Sequence, residues 1–446
     1  MRRLGRVALL AIAVVGLLGA APALAASGTG VSGTPTVAPQ KGGGAGFDAK
    51  SITINGGASV VPTTRTIAHW WGSSRNPSDG VTYGYNMVGS DPFACSGNGC
   101  ATTVQADITP IIVHFDGMTY DATADLPAVL ASPQFATNDY GSTPAATAAG
   151  NFPNIPRLIK GPGGVLSQGD AGVGLQLEDA TMRAQFNKVG ADNPYHLTLH
   201  PNVLQAVTIN VPSSQGFLYQ TPEDVIFPVI NAAWWAAQIN NLENSADPTH
   251  LPIYLTNDVL LGSSVANCCT IGFHGTKASG KKVGYGKSQG NASVQTFAWA
   301  SWIIPGTYPR VTTPPTQWAI QDIHALSHEI SEWADDPFVD NSVQPWQTPT
   351  APQYGCTGVL ETGDPVVGIG FAMGTNTFEQ RPTPKGYQIA DGYYHPEDET
   401  FLPWFMRTSP NRISEPTQSA SANVGRYTFM GDLNPFPGFR APATGC

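Results

Sequence analysis

Between Val311 and Gln380 the chain has no lysine or arginine, yet it carries Asp322, Glu329, Glu332, Asp335, Asp336, Asp340, Glu361, Asp364 and Glu379, with His324 and His328 among them. So much uncompensated negative charge in a folded region asks for a cation. The densest part, His324 to Pro337, reads as a helix whose acids gather towards its C-terminal end. That placement opposes the helix dipole by a few tenths to about 1 kcal/mol per group. A metal ion held by these side chains removes the conflict.

The spacing on this helix separates two faces. Ile323, Leu326, Ile330 and Trp333 recur at three-four-three intervals and form an apolar stripe expected to face the core. His324, His328 and Glu332 are four apart and stack on the opposite side. Charges opposite an apolar stripe usually mean a solvated face, but such a face mixes lysine with glutamate, and this one has no base. These three side chains look at solvent or into a cleft, and the missing base makes a cleft with a metal the expectation. His328-Glu329-Ile330-Ser331-Glu332 has the frame of the zincin motif HExxH with Glu in place of the second His. Residues four apart can bind one ion while the intervening Glu reaches a water on it.

A third ligand must come from elsewhere. The turn-rich segment Gly355 to Pro365 supplies Glu361 as first choice and Asp364 as second. Asp391-Gly-Tyr393-Tyr394-His395-Pro396 offers His395 and Tyr394 for binding metal or stabilising an oxyanion, against the commoner role of surface or hydrogen-bonding residues. His274, a strand-end histidine beside Gly275, reads as structural. The one GxSxG match, Gly286 to Gly290, lacks the flanking strand and helix of a nucleophile elbow and reads as a turn. No phosphate-binding glycine loop is present.

Length and composition set the frame around the motif. The basic start Met1-Arg2-Arg3, the apolar run Val7 to Leu18 and Ala23-Leu24-Ala25 have the order of a secretory signal, so residues 1–25 are expected to be removed and the chain to be secreted. Residues 26–62 have the composition of a flexible leader. A β-rich portion follows at 63–215, either completing the catalytic sheet or forming a small unit of its own, and a metal-binding portion at 216–446. A net charge of −10 argues against nucleic acid or an anionic membrane as partner. No later stretch is apolar enough to insert in a bilayer. Extracellular peptides, glycans and small molecules remain as partners. Cys95 and Cys100 bracket a short loop that a disulfide can close, while adjacent Cys268 and Cys269 are expected to pair elsewhere, with Cys356 or Cys446 as candidates.

Strands are expected at Thr66 to Trp71, Val81 to Val88, Ile108 to Phe115, His196 to His200, Gln205 to Val211, Leu251 to Val259, Cys269 to His274 and Thr296 to Ile304. Helices are expected at Leu175 to Phe186, Pro222 to Leu242 and Pro315 to Ala334, with Pro228 kinking the second or marking its start. This order predicts an α+β fold with a mixed sheet.

Ser327 to Glu332 with Asp336-Pro337, followed after a cysteine by Glu361-Thr-Gly-Asp364, resembles the SHExxE…DP and ExxD elements of secreted EXORDIUM-like (phosphate-induced) proteins and of bacterial exported proteins with a zincin-type helix. Cys269 with Gly272-Phe273-His274 is similar to their CGxH-like strand segment. The resemblance implies a zincin-like catalytic region with His328 and Glu332 as metal ligands and Glu329 as base. The additional His324, one turn earlier, is an alternative helix partner for His328.

The expected function is a secreted metal-dependent hydrolase, a zinc peptidase, with the ion on His328, Glu332 and Glu361 and Glu329 as general base. The carboxylate-rich ligand set also favours ions harder than zinc. The alternative is a non-catalytic extracellular module in which Asp335, Asp336, Asp340, Glu361 and Asp364 hold structural Ca²⁺.

Overall fold

A computed structural model describes residues 50–53, 60–95, 97–139, 174–186, 188, 193–221, 225–264, 267–283, 291–308, 320–349, 356–370, 373–377, 392–408, 427–429 and 443. The expected export signal, most of the leader, the GxSxG stretch, Glu379, Cys446 and the start of the expected motif helix lie outside them.

The fold is α+β with a mixed sheet. Strand Ala101–Phe115 runs through its middle, parallel to Leu251–Asn257, His196–Val203 and Val207–Asn210. Leu251–Asn257 lies parallel to Asn291–Trp302, along which Gly272–Val283 runs antiparallel. Every residue of Leu251–Asn257 is buried, as a central parallel strand covered on both faces requires. Because strands from both halves of the sequence share this sheet, the β-rich N-terminal portion completes the sheet that carries the site. Val60–Arg65 adds to it, parallel to Asn291–Trp302, with Lys50–Thr53 antiparallel beside it, so ordered strands reach into the stretch expected to be leader.

Alternation along Asn291–Trp302 decides what each face meets. Phe297 and Trp299 point to one side, where they pack with Trp235 and Ile239 of helix Ala232–Leu242. Ala298 and Ala300 point to the other, where the motif helix His324–Asp335 lies with Leu326, Ile330 and Trp333. Small side chains on that face let the helix come close, and Trp333 donates its Nε1–H to Thr296 Oγ1 at 3.0 Å. The apolar stripe thus faces the core as its spacing predicts.

Two expected helices differ from the structure. Residues Ile226–Ile230 form a strand, antiparallel to Gly216–Gln220, and the helix begins only at Ala232. Pro228 cannot donate inside a helix, and Asn231 caps the real start by accepting from Trp234 N–H at 3.0 Å. The motif helix likewise starts at His324. Asp322 has φ 43° and exchanges backbone hydrogen bonds with Ile303, an isolated bridge that precedes the helix.

Cys95 and Cys100 are bonded as expected, but Cys268 and Cys269 are bonded to each other. Cys356, one of their expected partners, sits in a separate hairpin of Cys356–Val359 against Ser342–Gln347 and is itself disulfide-bonded.

Candidate metal centre

The motif helix is buried along its whole length, so its polar face is not solvated. His324 is 1 % exposed, His328 6 %, Glu329 2 % and Glu332 0 %. Three further segments close over this face: strand Gly272–Val283, the 361–364 loop and the 395–399 loop.

The strand contributes His274. Opposite Ala298 in the register, it shares that residue's face and points at the helix. Its Nδ1 lies 3.5 Å from Glu329 Oε2 and 3.4 Å from Glu332 Oε2, and its Nε2 lies 3.8 Å from Glu361 Oε2. Gly272, two residues earlier on the same face, is required there. A Cβ at that position would lie 2.5 Å from Glu329 Oε1.

The 361–364 loop wraps the end of Glu332. The backbone N–H groups of Gly363 and Asp364 both donate to Glu332 Oε1 at 3.2 Å. Gly363 passes so close to the histidine that a Cβ would sit 2.5 Å from His328 Nδ1. His328 Nε2 lies 3.2 Å from Glu332 Oε1, 3.9 Å from Glu329 Oε1 and 3.9 Å from Asp364 Oδ1. Glu361 faces His274, not His328.

The 395–399 loop brings Glu397, whose Oε2 is 2.9 Å from both His328 Nδ1 and His324 Nε2. His328 therefore donates Nδ1–H to Glu397, which leaves Nε2 with its lone pair towards Glu332 and Glu329. Glu397 Oε1 accepts from Gly368 N–H at 3.1 Å, and Ser327 Oγ accepts from Glu397 N–H at 2.9 Å, so this carboxylate is fixed from several sides. His324 is thereby a partner of Glu397. Tyr394 turns away and donates its hydroxyl to Ala128 O at 2.8 Å. His395 is held by Asp322, with Nδ1 2.8 Å from Oδ2. Neither lines the cleft described below.

Electrostatics follow from burial among like charges. Burial pushes Glu361 and Asp364 well above the carboxylate range, and the charge of Glu332 adds to it. Burial also raises Glu329, against the pull of His328. Glu332 is held below its ordinary value, because the neighbouring His328 and His274 outweigh its burial. Burial alone lowers both imidazoles, but the surrounding carboxylates reverse this and raise them.

A divalent cation fits these residues. The ligand atoms of His328, Glu329 and Glu332 lie within 4.8 Å of one another, and so do those of His274, Glu332 and Glu361. His274 Nε2, Glu329 Oε2, Glu332 Oε2 and both oxygens of Glu361 are buried without a hydrogen-bond partner among the described residues. Leaving such groups unsatisfied costs about 1–3 kcal/mol each, more when charged. Imidazole nitrogen mixed with carboxylate oxygen is a donor set for zinc or a slightly harder divalent ion.

Asp335, Asp336 and Asp340 belong to neither group. Asp335 accepts from Gln185 at 2.6 Å, Asp336 accepts the backbone N–H groups of Asp340 and Asn341, and Asp340 is paired with Arg65. The acids expected to gather around Ca²⁺ are thus spread over separate protein partners.

A small cleft opens onto the site. His324, His328, Glu329 and Glu397 form one wall, and Cys269, Ile271, Tyr308, Ile320 and Val367 are on its lining as well. No protein-family model, curated protein or solved structure matches this chain.

Proposed function

We propose that the protein is an exported metal-dependent hydrolase acting on peptides, with the cation held by His328, which lines the cleft, and by Glu332 and Asp364 behind it, and with Glu329 as general base. The observation that carries this reading is the position of Glu329. It is the residue after one ligand, it lines the cleft, and its carboxylate stands 3.9 Å from the ligand nitrogen of His328. A divalent cation at this point lowers the pKa of a water towards neutrality and polarises a carbonyl oxygen.

The chain's own residues supply the rest. Burial raises the basicity of Glu329, which suits it to take a proton from water near neutral pH and pass it to a leaving amine. Glu397 orients His328 through Nδ1. Gly363 and Asp364 N–H groups fix one oxygen of Glu332. The mixed walls of the cleft favour a substrate segment with an apolar side chain beside the scissile bond. Export rests on the signal-like order of residues 1–25, and the resemblance to EXORDIUM-like proteins rests on the SHExxE and ExxD segments.

The test is Glu329→Gln. Zinc content should be unchanged, while cleavage of a peptide library by the zinc-loaded protein falls about 10²–10⁴-fold. A variant that binds zinc and cleaves like the parent overturns the general-base assignment.

A further inference from the structure

We propose that Glu332 bridges two divalent cations, one at the cleft beside His328 and a second enclosed by His274, Glu332 and Glu361. The inference rests on the hydrolase reading above and deepens it. The two oxygens of Glu332 serve different partners. Oε1 is 3.2 Å from His328 Nε2 and takes the Gly363 and Asp364 amides. Oε2 is 3.4 Å from His274 Nδ1 and has no hydrogen-bond partner among the described residues. Glu332 also belongs to both ligand groups, with His328 and Glu329 on one side and with His274 and Glu361 on the other, as a bridging carboxylate does.

The second position has its own donors. His274 Nε2 and both oxygens of Glu361 are unpartnered, and the residues are 4 % and 0 % exposed. They face each other at 3.8 Å, and with Glu332 they bring ligand atoms within 4.8 Å. None of His274, Glu332 and Glu361 lines the cleft, whereas His328 and Glu329 do. The first position thus meets the cleft through His328 and Glu329 alone, and no ligand of the second except the shared Glu332 belongs to the first.

Charge argues in the same direction. Glu329, Glu332, Glu361, Asp364 and Glu397 bring five carboxylates together, and among the described residues none is ion-paired with lysine or arginine. One divalent ion offsets two of those charges and a pair offsets four. Bound there, the pair would offset the charge on both oxygens of Glu332.

The experiment is stoichiometry. Chelator-stripped protein is loaded with Zn²⁺, freed of excess by gel filtration, and assayed for zinc per chain, with circular dichroism on the same samples. Two zinc ions are expected for the parent and one for folded Glu361→Gln and His274→Asn. A parent that saturates at one ion overturns the bridge and leaves the hydrolase reading standing. A parent that binds none overturns both. Folded variants that keep two ions overturn the assignment of the second position to His274 and Glu361. The parent's count decides the matter even where a variant fails to fold.

Discussion

Glu397 holds two imidazoles on one oxygen, a role no local pattern in the sequence announces. Glu397→Gln can keep its carbonyl oxygen on both histidines only by setting its amide N–H against the Gly368 N–H, and the opposite orientation turns the amide towards both histidines. Partners of this kind are worth about 10–100-fold in metal affinity or activity. Zinc affinity, measured by competition with a chromophoric chelator, should fall in that range, and an unchanged affinity would sink the orienting role. The residues legible from sequence were those with a spacing to read. His328, Glu329 and Glu332 share a helix frame, and Glu361 and Asp364 share a turn-rich loop. His274 was weighted as structural because one strand-end histidine carries no periodic signal. Gly272-Phe273-His274 held the clue, since alternation puts the glycine and the histidine on one face. Tyr394 and His395 show the opposite case, in which residues rich in chemistry are committed to Ala128 and Asp322 by contacts between distant segments.

At the scale of elements, the turn after Leu251–Asn257 contains Asp258, fully buried at φ 48°. Its Oδ1 accepts from Thr307 Oγ1 at 2.7 Å and from Ile304 N–H at 3.3 Å, and burial pushes its pKa up to about 8. The folded state therefore binds this proton more tightly than the unfolded chain does. Its stabilising effect is complete below the unfolded pKa, near 4, and is lost as pH rises through about 8, at about 1.4 kcal/mol per unit in between. Asp258→Asn keeps the acceptor and removes the titration. Between pH 5 and 7.5 its unfolding free energy should improve relative to the parent by about 3 kcal/mol. Parallel stability curves across that range would contradict the assignment. Element type was otherwise readable where one period was clear, as in the motif stripe. It failed at Ile226–Ile230, where Val225, Ile226, Val229 and Ile230 fit a helical period but pairing with Gly216–Gln220 and Leu260–Ser264 makes a strand. That pairing is a tertiary fact, and only Pro228 hinted at it.

Across the whole molecule, strand Asn291–Trp302 of the mixed sheet carries aromatics on one face and alanines on the other, and the motif helix packs on the alanine side. The sequence order of strands and helices was enough to expect the α+β class, and no local signal could show that strands from both halves join one sheet. That joining is what brings His274, the motif helix and the two late loops to one point. With the proposed ion bound, the buried carboxylates would make its removal costly. Stripping zinc should lower the unfolding temperature, and returning it in excess should restore stability by the mass-action relation, about 2.7 kcal/mol at a hundredfold excess over Kd. A melting temperature indifferent to zinc would mean that protons alone satisfy the cluster. The most direct measurement is anomalous scattering at the zinc edge from crystals of zinc-loaded protein. The account predicts a peak between His328 Nε2 and the Glu332 carboxylate, and a map with no peak within bonding distance of either side chain would contradict it.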